Sequence, residues 1–93
     1  MRKIEPTSRF KKDYKAVKVQ PIYDEEEFRS VINKLANDIA LEERYHDHAL
    51  HGKFEGAREC HIKPDWLLIY AKDKDGLRLI LMRTGSHSKL LGL

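Results

Sequence analysis

Ninety-three residues with a 41% hydrophobic share make one small domain, residues 1–93, with enough apolar material for a packed core. The single cysteine, Cys60, excludes an intramolecular disulfide, and a 35% charged share makes most of the outside ionic. No apolar run reaches the length of a bilayer span, and the charged start MRKIEPTSRFKK lacks the apolar stretch of a signal peptide, so a soluble cytoplasmic protein without membrane contact is expected.

The net charge of +3 hides an asymmetry. Residues 1–18 carry net +5, residues 19–47 net −5 and residues 48–93 net +3. If the two basic ends meet in the fold, the surface is polarised, and such a field steers polyanions. High charge also serves plain solubility, so the balance alone does not imply nucleic acid.

Arg2 to Glu5 reads as a short strand closed by Pro6. Thr7 or Ser8 can cap a helix whose apolar face is Phe10, Tyr14 and Val17, with Lys11, Lys12, Lys15 and Lys18 largely off that face. Asp24 and Glu27 resemble a capping box, and the acids at 25–27 suit a helix N-terminus. Phe28, Val31, Ile32, Leu35, Ala36 and Ile39 then follow helical periodicity, with an end expected near Asn37-Asp38. Residues 42–56, with Gly52, Gly56 and many charges, read as an irregular loop.

From Ala57 the period changes to two. Arg58, Cys60 and Ile62 alternate with Glu59, His61 and Lys63. Lys63-Pro64-Asp65 makes a turn, Trp66 to Ala71 a central strand, and Asp73-Lys74-Asp75-Gly76 a hairpin turn. Leu77 to Met82 continues as a third strand, ended by Gly85. Two helices followed by three antiparallel strands predict an α+β fold, with the opening strand joining as an edge or beside the last strand.

All five histidines lie between His46 and His87. Hairpin topology brings His61, Asp65, Trp66, Arg83 and His87 to one end of the sheet. Histidines and an aspartate can move protons near neutral pH, and an arginine can take a phosphate in bidentate fashion. That set suits RNA cleavage by internal 2′-OH attack. Trp66 can stack on a base, although its place at the head of an apolar strand also suits a core role. His46, His48 and His51 match no common zinc-ligand spacing, and Cys60 reads as a small core side chain; no metal and no cofactor is expected. Arg58 and Glu59 read as cross-strand ion pairs.

The runs DHALHGKFEGARECHIKPDWLLIY and LILMRTGSHSKLL carry the motifs D-H-x-L-x-G, R-x-x-H-I-x-P-D-W-L-L-I-Y and R-x-G-S-H. Together they resemble the YafQ-like branch of the RelE/ParE toxin superfamily of type II toxin–antitoxin systems. The resemblance is carried by residues 45–91. It implies a RelE-like fold in the order β-α-α-β-β-β, with two N-terminal helices on a small twisted antiparallel sheet. It further implies a ribosome-dependent, metal-independent endoribonuclease that cuts mRNA in the A site. Carried over by motif, His48, His61, Asp65 and His87 are the expected catalytic residues, with His87 and Asp65 as the main proton-transfer groups. Arg83 is the implied phosphate binder and Trp66 the neighbour of Asp65. Leu91 stands where relatives often carry an aromatic, and would pack on a base without stacking. His46 and His51 are expected bystanders. The implied partners are the ribosome, mRNA and a cognate antitoxin of the DinJ/RelB kind in a hetero-oligomeric complex. Two other readings share the fold: a ParE-type gyrase-directed toxin, and a binding module without catalysis.

Overall fold

The structure, a computed structural model, describes residues 1–91. Its elements are β1 (Lys3–Pro6), α1 (Ser8–Val17), α2 (Glu25–Ala36), β2 (His48–Ala49), β3 (Arg58–Lys63), β4 (Trp66–Lys72), β5 (Arg78–Gly85) and α3 (His87–Leu91), with single 3-10 turns at Glu43–Tyr45 and Gly52–Phe54. Among the described residues no helix is long and apolar enough to cross a membrane.

Both long helices start where their caps dictate. The Thr7 hydroxyl accepts from the Phe10 amide, and the Asp24 carboxylate accepts from the Glu27 amide. The second half of a capping box is missing, because the Glu27 side chain accepts from the Tyr45 hydroxyl instead. α2 ends at Ala36, so Ile39 falls beyond it and is exposed. In the β4–β5 turn the Asp73 carboxylate accepts from the amides of Leu77 and Arg78, and Gly76 takes φ +75°. Leu77, expected in the strand, sits in that turn and is exposed.

The sheet has five strands in the order β1-β5-β4-β3-β2. β2–β3, β3–β4 and β4–β5 are antiparallel, but β1 lies parallel to β5, with Lys3 opposite Arg78 and Pro6 opposite Leu81. The wholly antiparallel sheet expected from sequence is therefore corrected to a mixed one. β1 is both an edge and the neighbour of the last strand. Its direction is fixed by the path of the chain through two helices, which period-two patterning does not record. The loop expected over 42–56 is also corrected: it contributes the short edge strand β2 and the two 3-10 turns. α3, absent from the expected order, begins at His87.

The helices cover one sheet face. Phe10 and Val17 of α1 and Val31, Ile32, Leu35 and Ala36 of α2 form one core with Cys60, Ile62, Trp66, Leu68, Tyr70, Leu79 and Leu81. On the opposite face Leu67, Ile69, Ala57 and Leu90 make a smaller apolar layer, flanked by Leu50, Phe54 and Met82. The rest of that second face carries the site.

Candidate functional site

Directly paired residues of neighbouring strands share a face. One row crosses the open face as His48, Glu59, Ile69 and Arg83, and the next as His61, Leu67 and Gly85. The strand register thus sets His48 and His61 around Glu59, with the apolar side chains of β4 beside them.

His61 is the hub. Its ring centroid lies 5.4 Å from His46, 6.5 Å from His48 and 5.5 Å from His87. Each neighbour arrives by a different local device. His46 ends a 3-10 turn in the left-handed region at φ 47°, a conformation histidine tolerates better than most residues. Its carbonyl accepts from His48 Nδ1 at 2.6 Å. A carbonyl only accepts, so His48 carries a proton on Nδ1 and turns Nε2 toward Glu59. Asp47 fastens the loop between them by accepting from the Tyr70 hydroxyl at 2.6 Å and from Arg58 Nε at 3.2 Å. His87 opens α3 immediately after β5, and its amide donates to Asp65 Oδ1 at 3.4 Å.

Beneath the rings lies Glu59, 2% exposed. Its Oε1 is 3.5 Å from His48 Nε2 and 3.7 Å from His61 Nε2, and its buried Oε2 has no hydrogen-bond partner among the described residues. A buried carboxylate with an unfilled oxygen is costly to a fold. Such a group is a mark of a working site more than of a stable core. Burial pulls His61 below the ordinary imidazole pKa, and neighbouring His87 and His46 add to that, while Glu59 works in the opposite direction. His61 is therefore neutral at pH 7. Burial pushes the Cys60 thiol well up, which leaves it a core side chain and no nucleophile.

Of the residues expected at the site, His48, His61, Asp65 and His87 converge. Trp66 does not join them. It is 1% exposed, faces the helices, packs against Tyr23 and Phe28, and donates its indole N–H to Thr84 Oγ1 at 2.8 Å. The ring is part of the core packing, and stacking on a base would require it to leave that packing. Arg83 starts on the site face but turns around the β5 edge to α1, donating from Nε and Nη2 to the two Asp13 oxygens at 2.6 and 3.2 Å. The side chain of Leu91 lies outside the described residues. His51 is exposed and stands apart from these ring contacts.

Sequence reasoning missed two members. Glu59 stands two residues from His61, so period two already placed it on the same face. His46 had no such signal, because only the left-handed turn brings it in. An open cleft lined by Arg44, His46, His48, His61 and Pro64 gives solvent access to the cluster. Glu59, His61 and His87 each offer a ligand atom within 4.8 Å of the others, a set able to hold a divalent ion. The zinc triad considered from sequence, His46, His48 and His51, is not that set.

Residues 2–92 match the family described as bacterial toxin of type II toxin–antitoxin system, YafQ. The chain is 35% identical over 92 residues to the mRNA interferase toxin YafQ of Escherichia coli (strain K12), covering 98% of this chain and 97% of that protein. It superposes on the YafQ structure in the E. coli DinJ–YafQ complex with a TM-score of 0.85 at 33% identity, over 99% of this chain and 100% of the other. A metal-bound toxin from Helicobacter pylori gives a TM-score of 0.87 at 41% identity, over 97% of this chain and 99% of that one. The histidines over Glu59 therefore stand in a chain that belongs to the YafQ family of type II toxin–antitoxin toxins.

Proposed function

We propose that this RelE-like domain, residues 1–93, is a ribosome-dependent endoribonuclease that cuts mRNA in the A site by proton transfer through its histidines. The relative named an mRNA interferase supports the substrate class. The observation that carries the reading is the partly buried His61 ringed by His46, His48 and His87 above a buried Glu59. A gyrase-directed toxin has no use for such a set.

In this reading His61, held neutral, takes the proton from the 2′-OH. The 2′-oxygen forms its bond to phosphorus as the bond to the 5′-oxygen breaks, leaving a 2′,3′-cyclic phosphate. His87, in its protonated form, gives a proton to the departing 5′-oxygen. Asp65 sits at the His87 amide and supports it, and His48 assists through Glu59. Arg83 keeps Nη1 out of its Asp13 pair, which leaves one donor for phosphate. No step requires a metal. Glu59, His61 and His87 would hold an ion if one bound, and it would supply Lewis acidity there.

The E. coli relative is crystallised with DinJ. We infer a cognate antitoxin for this chain as well, whose acidic or apolar segment covers the same surface and is drawn by the basic first helix.

The test is mapping of mRNA 5′ ends after translation with the wild type and with His87→Ala, with and without ribosomes. Cuts that need ribosomes and vanish in the variant support the nuclease. Growth arrest with intact mRNA overturns it.

A further inference from the structure

We propose that Arg44, at the rim of the histidine cleft, grips a phosphodiester of the bound RNA strand. The inference rests on the nuclease reading and names a residue that the family motifs do not contain. Arg44 lines the open cleft together with His46, His48 and His61. Its side chain is 64% exposed. It also borders the adjoining hollow between Glu27, Tyr45 and Lys63.

The choice between Arg44 and Arg83 is settled by what each must give up. Arg83 is spent on Asp13 in a pair where both side chains are largely out of water, at 15% and 4% exposure. Drawing it fully away would strand a buried carboxylate, which is strongly unfavourable. The acidic partners of Arg44 are held loosely, Glu27 Oε1 at 3.5 Å and Glu42 Oε2 at 3.7 Å. Such pairs contribute little and are easily exchanged for a phosphate.

The surroundings are arranged for that exchange. The Tyr45 hydroxyl donates to Glu27, so the carboxylate keeps a partner when Arg44 exchanges it for a phosphate. Burial and the Glu27 carboxylate push the Tyr45 phenol up to about 12, so it stays a donor at neutral pH. Arg44 lies over the Tyr45 ring at 4.6 Å and donates from Nη2 to its hydroxyl at 2.7 Å. The guanidinium is thereby anchored by its face and one nitrogen. Its other donors are left for the two oxygens of a phosphodiester, the geometry at which arginine excels. A cation there lies against His46, His48 and His61 and extends the site toward the nucleotide flanking the cut.

The experiment uses ribosomes programmed with an mRNA carrying a 2′-deoxy nucleotide at the cleavage position, for binding, and the all-ribose mRNA for single-turnover cleavage. Variants are Arg44→Ala, Arg44→Lys and, as a charge-matched control on the exposed side of α2, Arg29→Ala. Arg44→Ala is expected to weaken binding about 10-fold and to reduce the slope of log affinity against log salt by about one contact. Arg44→Lys should restore the salt slope but only part of the affinity, because an ammonium lacks the fork. Thermal unfolding should stay unchanged. Equal losses for Arg29→Ala would show a bulk charge effect and overturn the proposal. So would wild-type binding by Arg44→Ala, or a loss confined to antitoxin affinity. A wild type that neither binds nor cuts programmed ribosomes defeats the nuclease reading and this proposal with it. A wild type that cuts, beside an Arg44→Ala variant that cuts equally well, defeats this proposal alone.

Discussion

Asp13 and Arg83 join α1 to β5 through two hydrogen bonds, and Asp13 also accepts from the Thr84 amide at 3.2 Å. β1 stops pairing at Leu81, so the edge of β5 beyond it would be open; Asp13 closes it. Asp13 sits on the apolar stripe of its helix between Phe10 and Val17 and is 3% exposed. Replacing it by Asn keeps an acceptor for Thr84 but leaves Arg83 without its counter-charge. The expected cost is about 3–5 kcal/mol, the scale for breaking one side of a buried pair. Urea denaturation checks it. The double variant Asp13→Asn/Arg83→Met removes both charges and should recover much of the loss. If Asp13→Asn alone unfolds at the wild-type midpoint, the junction does not depend on the pair.

Trp66 is the chain's single tryptophan, which makes its environment directly readable. Its indole donates to Thr84 Oγ1, and that hydroxyl donates to the Leu67 carbonyl at 2.7 Å, both buried. Emission should therefore be resistant to iodide and unchanged when RNA binds. A base stacked on the ring would quench it. Thr84→Val should cost about 1–3 kcal/mol by leaving the indole N–H unpaired in the core. RNA-dependent quenching in the wild type would put Trp66 back at the substrate.

Much of this architecture is legible in the sequence. Thr7 and Asp24 announced the helix starts, and the alternation around Cys60 and the Asp-Gly turn announced the hairpins. Hairpin logic alone brought His61, Asp65 and His87 to one end. What could not be read was set by long-range geometry. The parallel pairing of β1 depends on the route through α1 and α2. The Met82 bulge, where the β4–β5 register shifts between Ile69 and Tyr70, changes which residues face the helices. The burial of Trp66 and the use of Arg83 Nε and Nη2 by Asp13 are likewise set by tertiary packing, which neither residue type nor motif records. Asp13 itself was visible as an acid inside an apolar stripe, a sign that a buried cation must meet it.

His61 links pH to both stability and rate. Its pKa is lowered in the fold, so the unfolded chain takes up the proton first as pH falls. Stability is full above about 6.5, the ordinary histidine value, and declines below it until the folded state also protonates. His61→Gln should flatten that part of the profile in urea midpoints between neutral and mildly acidic pH. Cleavage by a neutral His61 should show an acid limb below the same ordinary value. Glu59 raises the His61 pKa, so Glu59→Gln should move the limb to lower pH. A limb that stays in place, or moves upward, would remove His61 as the proton acceptor.

Metal ions should inhibit this enzyme. Glu59, His61 and His87 can each give one ligand atom to a common ion, and an ion takes the imidazole lone pairs that proton transfer needs. Zinc or copper added to the purified protein should therefore slow single-turnover cleavage, and a chelator should restore it. Inhibition should weaken as pH falls, because protons compete for the same histidine nitrogens. Glu59→Gln should weaken metal affinity by at least about 10-fold, on the scale seen when one supporting group of a metal site is lost. Isothermal titration with zinc, run on wild type and on Glu59→Gln, separates binding from turnover. Faster cleavage with added metal, reversed by chelation, would mean the ion takes part in the chemistry and would overturn proton transfer by His61 and His87 alone.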